Sequence, residues 1–256
     1  GLFFFFLFVI NSLSAYNLRQ VTNSDGLTSS AVLSLLQDSN GFLWMGTCDG
    51  VNIYDGTKAY SWNGWGQLNL SGYIIEEILE THDGVIWVQT NYGLSKVDKE
   101  KRLVVDYPQF KGSYMMVKNE LGDLFFFSSS NLLYAFNEKK QEFYRLPIGT
   151  LDREDIVNLY VNEHYLIIFL KNEIIYYQMK HSPEGEYTLS TINTSEKTEV
   201  RYGFGDKNQV YWLDKDYNLF GYSLDKPVKK LICNWKEALD GRGTIVDILR
   251  DGTSFF

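Results

Sequence analysis

Short apolar runs punctuated by turn residues organise this chain. Residues 31–37, 42–47 and 51–54 are rich in Val, Leu, Ile and aromatics, and they are separated by Asp38-Ser39-Asn40-Gly41 and by Cys48-Asp49-Gly50. Runs of four to eight such residues bounded by Gly, Asp and Asn predict strands rather than helices. The Asp49-Gly50 pair predicts a tight hairpin of type I′, which requires left-handed backbone at both central residues. With 59–62 as a fourth, more variable strand, the segment reads as one four-stranded antiparallel unit.

The unit repeats. Residues 37–55, QDSNGFLWMGTCDGVNIYD, superpose without a gap on 80–98, ETHDGVIWVQTNYGLSKVD. Gly41 meets Gly84, Trp44 meets Trp87, Thr47 meets Thr90 and Gly50 meets Gly93, every pair 43 apart. A weaker copy at 119–136 puts Gly122, Phe125 and Ser128 at the Gly, Trp and Thr positions, and degenerate copies follow. The bulky slot is read at 44, 87, 125, 167, 212 and 255, with Trp212 and Phe255 filling the last two. Four strands per repeat of this length is the pattern of a β-propeller blade. The fold class expected is therefore all-β, a propeller of four-stranded antiparallel blades. The chain should show about five blades and a broken sixth, since a seven-bladed ring at this period needs roughly 300 residues. Trp44, Trp87, Phe125 and Trp212 are expected in equivalent wedges between neighbouring sheets, where each ring buries roughly 150–250 Å².

Composition narrows the partners. The 6 Trp, 18 Tyr and 17 Phe support a strand-rich core, and 24 basic against 32 acidic side chains give a net charge of −8. Without a cationic run, a nucleic-acid surface is not expected. Residues 1–15 open with nine consecutive apolar residues followed by small and polar ones, resembling the end of a secretory signal peptide. Export is the consequence, with 16–256 as the propeller domain. Cys48 and Cys233 show no metal-binding or redox spacing, and two buried free thiols are expected of them rather than a disulfide.

Residues 27–56 closely resemble the two-component regulator propeller repeat. The matching positions are Gln37-Asp38, Trp44-Met45-Gly46-Thr47, Gly50 and Tyr54-Asp55. The second copy departs from that pattern at Val88-Gln89, where Ile-Gly is usual. The resemblance implies the extracytoplasmic sensor region of a hybrid two-component system, as found in gut Bacteroidetes. In that family propellers precede a membrane span and a histidine kinase, ligands are oligosaccharides, and the receptor is a homodimer. By that resemblance the chain would lie on the periplasmic side of the inner membrane, beside a second propeller and downstream modules, and would sense rather than phosphorylate.

No catalytic group stands out. His82, His164 and His181 fall at unrelated repeat positions, and Glu76 and Glu77 are adjacent strand residues that point to opposite faces. Asp206, Asp214 and Asp216 lack the spacing of a calcium loop and read as turn residues. No metal or cofactor is expected. Binding is easier to place, on the rim formed by the loops entering each first strand and by the turns between second and third strands. That rim carries Asp49, Trp65, Tyr73, Asn91, Tyr92, Tyr114 and Arg242. The aromatics Trp65 and Tyr73, in the long loop 63–73, could stack on a sugar ring while Asp49 and Asn91 hydrogen-bond to it. Two other functions fit the same pattern: an exported propeller lyase or glycosidase, and a protein-interaction scaffold.

Overall fold

The computed structural model describes residues 20–236, except 63, 66–67, 82–83, 193–195 and 227, together with 250–251 and 254–255. Residues 1–15 and Arg242 lie outside them. Five antiparallel sheets follow one another, each with four strands ordered as in the chain, and in the fourth a short fifth strand, Glu196–Lys197, also pairs with the third strand. The first sheet comprises Val32–Gln37, Leu43–Thr47, Gly50–Tyr54 and Ala59–Trp62. The next four open at Ile75–Glu80, Tyr114–Lys118, Ile156–Val161 and Tyr202–Asp206. The first strands of successive sheets lie against one another, as blades do around a common axis. The protein is a β-propeller with five complete blades, and later in the chain Arg250–Asp251 and Ser254–Phe255 pair as a separate two-stranded hairpin.

Each first strand of sheets one to four carries a bulge, between Val32/Ser34, Ile75/Glu77, Tyr114/Val117 and Ile156/Asn158. A bulge sharpens local twist and redirects the side chain beside it. In the first sheet the redirected Ser34 Oγ accepts a hydrogen bond from Ile78 N of the next blade (3.0 Å) and donates to Glu77 Oε1 (3.2 Å). In the fourth, Asn158 Nδ2 reaches Gly203 O of the fifth at 2.7 Å. These bonds tie neighbouring blades at their inner edges.

The wedges between blades hold the apolar core. Trp44 clusters with Ile75, Ile78, Ile86 and Val88 of the second sheet, Trp87 with Met116, Leu124 and Phe126 of the third, and Phe125 with Leu159, Leu166 and Ile168 of the fourth. Ile167 continues the series by facing the fifth sheet. Trp212 does not. It packs back against Ile167 and Phe169 of the fourth sheet, while Tyr211 and Leu213 occupy the opposite face. Side chains alternate faces along a strand, so a one-residue difference in spacing moves the slot from Trp212 to Tyr211. The side chain of Phe255 lies outside the described residues.

Gly46 is dictated by this packing. A Cβ there would stand 2.6 Å from Ile75 Cγ2 of the next blade. The second blade has Gln89 at the matching position, and its amide donates to Glu76 Oε2 (2.9 Å) and to Ser113 O of the third blade (3.0 Å). Glu77 bonds instead to Ser34, so the adjacent carboxylates diverge as expected.

The hairpin at Asp49 differs from the type I′ expectation. Cys48 and Asp49 are the two-residue connection between the paired Thr47 and Gly50, and positive φ falls on Gly50 alone, at 87°. Only a residue without Cβ takes that conformation at no steric cost, and the glycine stands just after the turn rather than inside it. Cys48 is exposed and Cys233 half-buried, both free, so neither is the buried thiol expected.

Candidate functional site

One rim of the first two blades is assembled by repeated polar contacts. Thr47 Oγ1 donates to Gly50 O (2.8 Å) and accepts from Asp49 N (3.0 Å), while Thr90 does the same for Gly93 O (3.1 Å) and Tyr92 N (3.1 Å). The repeat threonine therefore closes the hairpin that carries each rim residue. Chain entering each blade is held in a matching way. Thr28 Oγ1 donates to Asn52 Oδ1 (2.7 Å) and Asp49 O (3.0 Å); Ser71, 43 residues later, accepts from or donates to Thr90 and Ser95 hydroxyls at 3.0 and 3.1 Å.

Tyr73 is fixed from both sides. Its carbonyl accepts Gly50 N of the first blade at 2.6 Å, and the following Ile74 N donates to Asn91 Oδ1 of the second at 3.2 Å. Gly72 permits the close passage, because a Cβ there would fall 2.5 Å from Asn91 Oδ1 and 2.6 Å from Thr90 Oγ1. The result is a cleft of about 510 Å³ lined by Asp49, Ser61, Asn69, Ser71, Tyr73 and Tyr92 among others. Tyr73 and Tyr92 remain 54% and 44% exposed, with ring centroids 6.2 Å apart. Large apolar rings held open to solvent by backbone bonds form a surface for a flat apolar partner.

The structure thus gathers Asp49, Tyr73 and Tyr92 in one cleft and gives Asn91 and Tyr114 other partners. Asn91 is a positioning residue, its side chain turned to Ile74 N. Tyr114 belongs to the third blade, where its ring stacks on Phe127 (5.5 Å), its hydroxyl donates to Asn131 Oδ1 (2.9 Å) and the Arg153 guanidinium lies 4.2 Å over it. The backbone of Trp65 pairs with Leu68 in a short hairpin within the long loop, and its side chain is outside the described residues, as is Arg242. Thr28, Ser61, Asn69 and Ser71 were missed. The spacing of Thr28 and Ser71 by one full repeat was the available signal.

Two polar clusters elsewhere are structural. Asp38 Oδ1 accepts Asn40 N (3.0 Å) and Phe42 N (2.9 Å), and Oδ2 accepts Trp44 Nε1 (2.9 Å) and Lys99 Nζ (2.8 Å). Burial alone would raise this carboxyl, but the bonds from Lys99, Trp44 and Phe42 outweigh it and hold it below the usual carboxylate range. Between blades three and four, Tyr187 Oη donates to Asp123 Oδ2 (2.5 Å) and accepts Asn119 Nδ2 (2.9 Å), with burial and the carboxylate pushing the phenol up. Asp214 caps its own turn by accepting Asp216 N and Asn218 N, both at 2.9 Å. No group of three metal-ligating side chains is present among the described residues.

The repeat geometry agrees with what known proteins show. Residues 26–49 match the family model of the two component regulator propeller. The chain carries that repeat. Among solved structures, the propeller is similar to virginiamycin B lyase from Staphylococcus aureus, with TM-score 0.54, 11% identity, and 84% of this chain covering 73% of that one. It is similar to the extracellular domain assigned to a hybrid two component system of B. thetaiotaomicron, with TM-score 0.54 and 16% identity. There 85% of the propeller chain is matched, but it spans only 37% of that longer chain. The β-propeller domain of Cps50 (Swd1) from Myceliophteria thermophila gives TM-score 0.55 at 11% identity, over 78% of this chain and 72% of that one. No curated protein matches. At such identities these likenesses establish the fold, which by itself serves lyases and receptors alike.

Proposed function

We propose that this propeller is the extracytoplasmic ligand-sensing domain of a two-component signalling receptor, and that its rim cleft binds an oligosaccharide. The observation that carries the reading is the pair Tyr73 and Tyr92, exposed yet fixed by backbone bonds to two successive repeat hairpins. Preorganised tyrosines stack on a sugar face at small entropic cost, while Asp49, Ser61, Asn69 and Ser71 supply hydrogen-bonding partners for hydroxyls. The match of residues 26–49 to the two component regulator propeller supports the receptor assignment. In such a receptor the ligand acts by binding two arrangements of a dimer unequally, and the shift passes through the membrane to a histidine kinase.

The test is calorimetric titration of the full-length natural protein with a panel of neutral and acidic hexaoses. Tyr73→Ala and Tyr92→Ala should each weaken the bound member about tenfold, the loss of one stacked ring. Unchanged affinity in both variants would sink the cleft as the site. One observation keeps a lyase reading alive, because Asp49 and two tyrosines share the cleft and could move a proton. Turnover is therefore followed in the same samples, by the ultraviolet absorbance of an unsaturated product.

A further inference from the structure

The cleft has a sign as well as a shape. Asp49 is exposed at the tip of its turn and lines the cleft; its N–H is donated to Thr47 Oγ1 and its carbonyl accepts from Thr28 Oγ1, so closing the turn uses its backbone and not its carboxylate. The described residues lining the cleft include no Lys, Arg or His. Lys111 stands outside the lining, its ammonium 4.8 Å over the Tyr92 ring. A carboxylate with two acceptor oxygens can take hydrogen bonds from a pair of neighbouring sugar hydroxyls. A uronic acid brought to the same place would set two carboxylates together without a cation between them.

Resting on the oligosaccharide reading above, we infer that the cleft selects uncharged saccharides over uronate-containing ones, and that Asp49 sets this preference. At about 5 Å in a water-exposed cleft, like charges weaken binding roughly fourfold, and more where water is displaced. The discriminating probe is a matched pair, hexagalacturonate and its fully methyl-esterified form, titrated against the full-length natural protein at low ionic strength beside neutral hexaoses of glucose, galactose, mannose and xylose. The ester and at least one neutral hexaose should bind more tightly than the acid. Added salt should narrow the gap between ester and acid as screening grows. Asp49→Asn, which keeps shape and turn preference, should raise affinity for the acid about fourfold. Equal or tighter binding of the acid by the natural protein, or an acid-to-ester ratio unchanged in Asp49→Asn, overturns the inference while leaving saccharide binding intact. If no member of the panel binds, the saccharide reading itself falls, and this inference with it.

Discussion

Trp44 and Trp87 occupy the same place in successive repeats and are held there by different physics. In the first blade Asp38 accepts the indole N–H and is itself paired with Lys99, whose ammonium also reaches Glu80 Oε1 at 3.1 Å. The second blade has Thr81 where the first has Asp38, and Trp87 Nε1 is buried without a hydrogen-bond partner among the described residues. Trp87 is instead enclosed by rings, with Phe136, Phe143 and Tyr107 at 4.8, 5.5 and 5.7 Å, and Lys96 Nζ lies 5.6 Å from its centroid. One side chain at one repeat position can thus be secured by a polar clasp or by an aromatic nest. The first directs orientation, the second supplies apolar burial.

The largest break in that comparison should come from Trp87→Ala, which empties the nest and should cost about 3–5 kcal/mol in urea unfolding. A loss below about 1 kcal/mol would mean that the neighbouring rings collapse into the space. Asp38→Ala should cost about 1–3 kcal/mol, because it leaves the buried Trp44 N–H without its acceptor and the Lys99 ammonium with Glu80 alone. Its pH dependence has a definite sign. The folded carboxyl lies below its unfolded value of about 3.9, so the contribution is complete above that pH and fades as pH falls through the folded value. Wild type and Asp38→Ala should therefore converge in stability only under acid, and a gap constant down to pH 2 would refute the assignment.

Gly46→Ala probes the closeness of the first seam and should cost about 1–3 kcal/mol through overpacking on Ile75, with no comparable loss for Gln89→Ala beyond its two hydrogen bonds. The smallest effect is the most specific. Thr81→Asp installs the missing acceptor near Trp87, beside the Lys118 ammonium that donates to Glu80 O, and should stabilise by roughly 0.5–1.5 kcal/mol. Destabilisation would show that the nest leaves the indole no room to turn towards a clasp.

Much of this was legible because short-range chemistry repeats. The Gly-Trp-Thr-Gly spacing located strands, hairpins and the first three wedge residues, since turn closure by Thr47 and Thr90 needs only neighbours in sequence. Trp212 misled for the opposite reason. Its identity as a bulky ring drew it into the slot, whereas the face it occupies is set by strand register, which one residue reverses. The rim was partly legible: Asp49, Tyr73 and Tyr92 meet, but Asn91 and Tyr114 have other partners that no spacing revealed.

Alone, the sequence determined the architecture: apolar runs separated by turn residues and recurring every 38–45 residues commit each segment to the same antiparallel unit, because those preferences act locally. Tertiary structure decided which of those residues serve the surface and which serve the seams. The Tyr73 loop becomes a fixed platform only when Gly50 N and Asn91 Oδ1, from two different blades, grip it together. Contacts made by residues distant in the chain depend on how sheets stack, and stacking is a property of the assembled blades rather than of any one repeat.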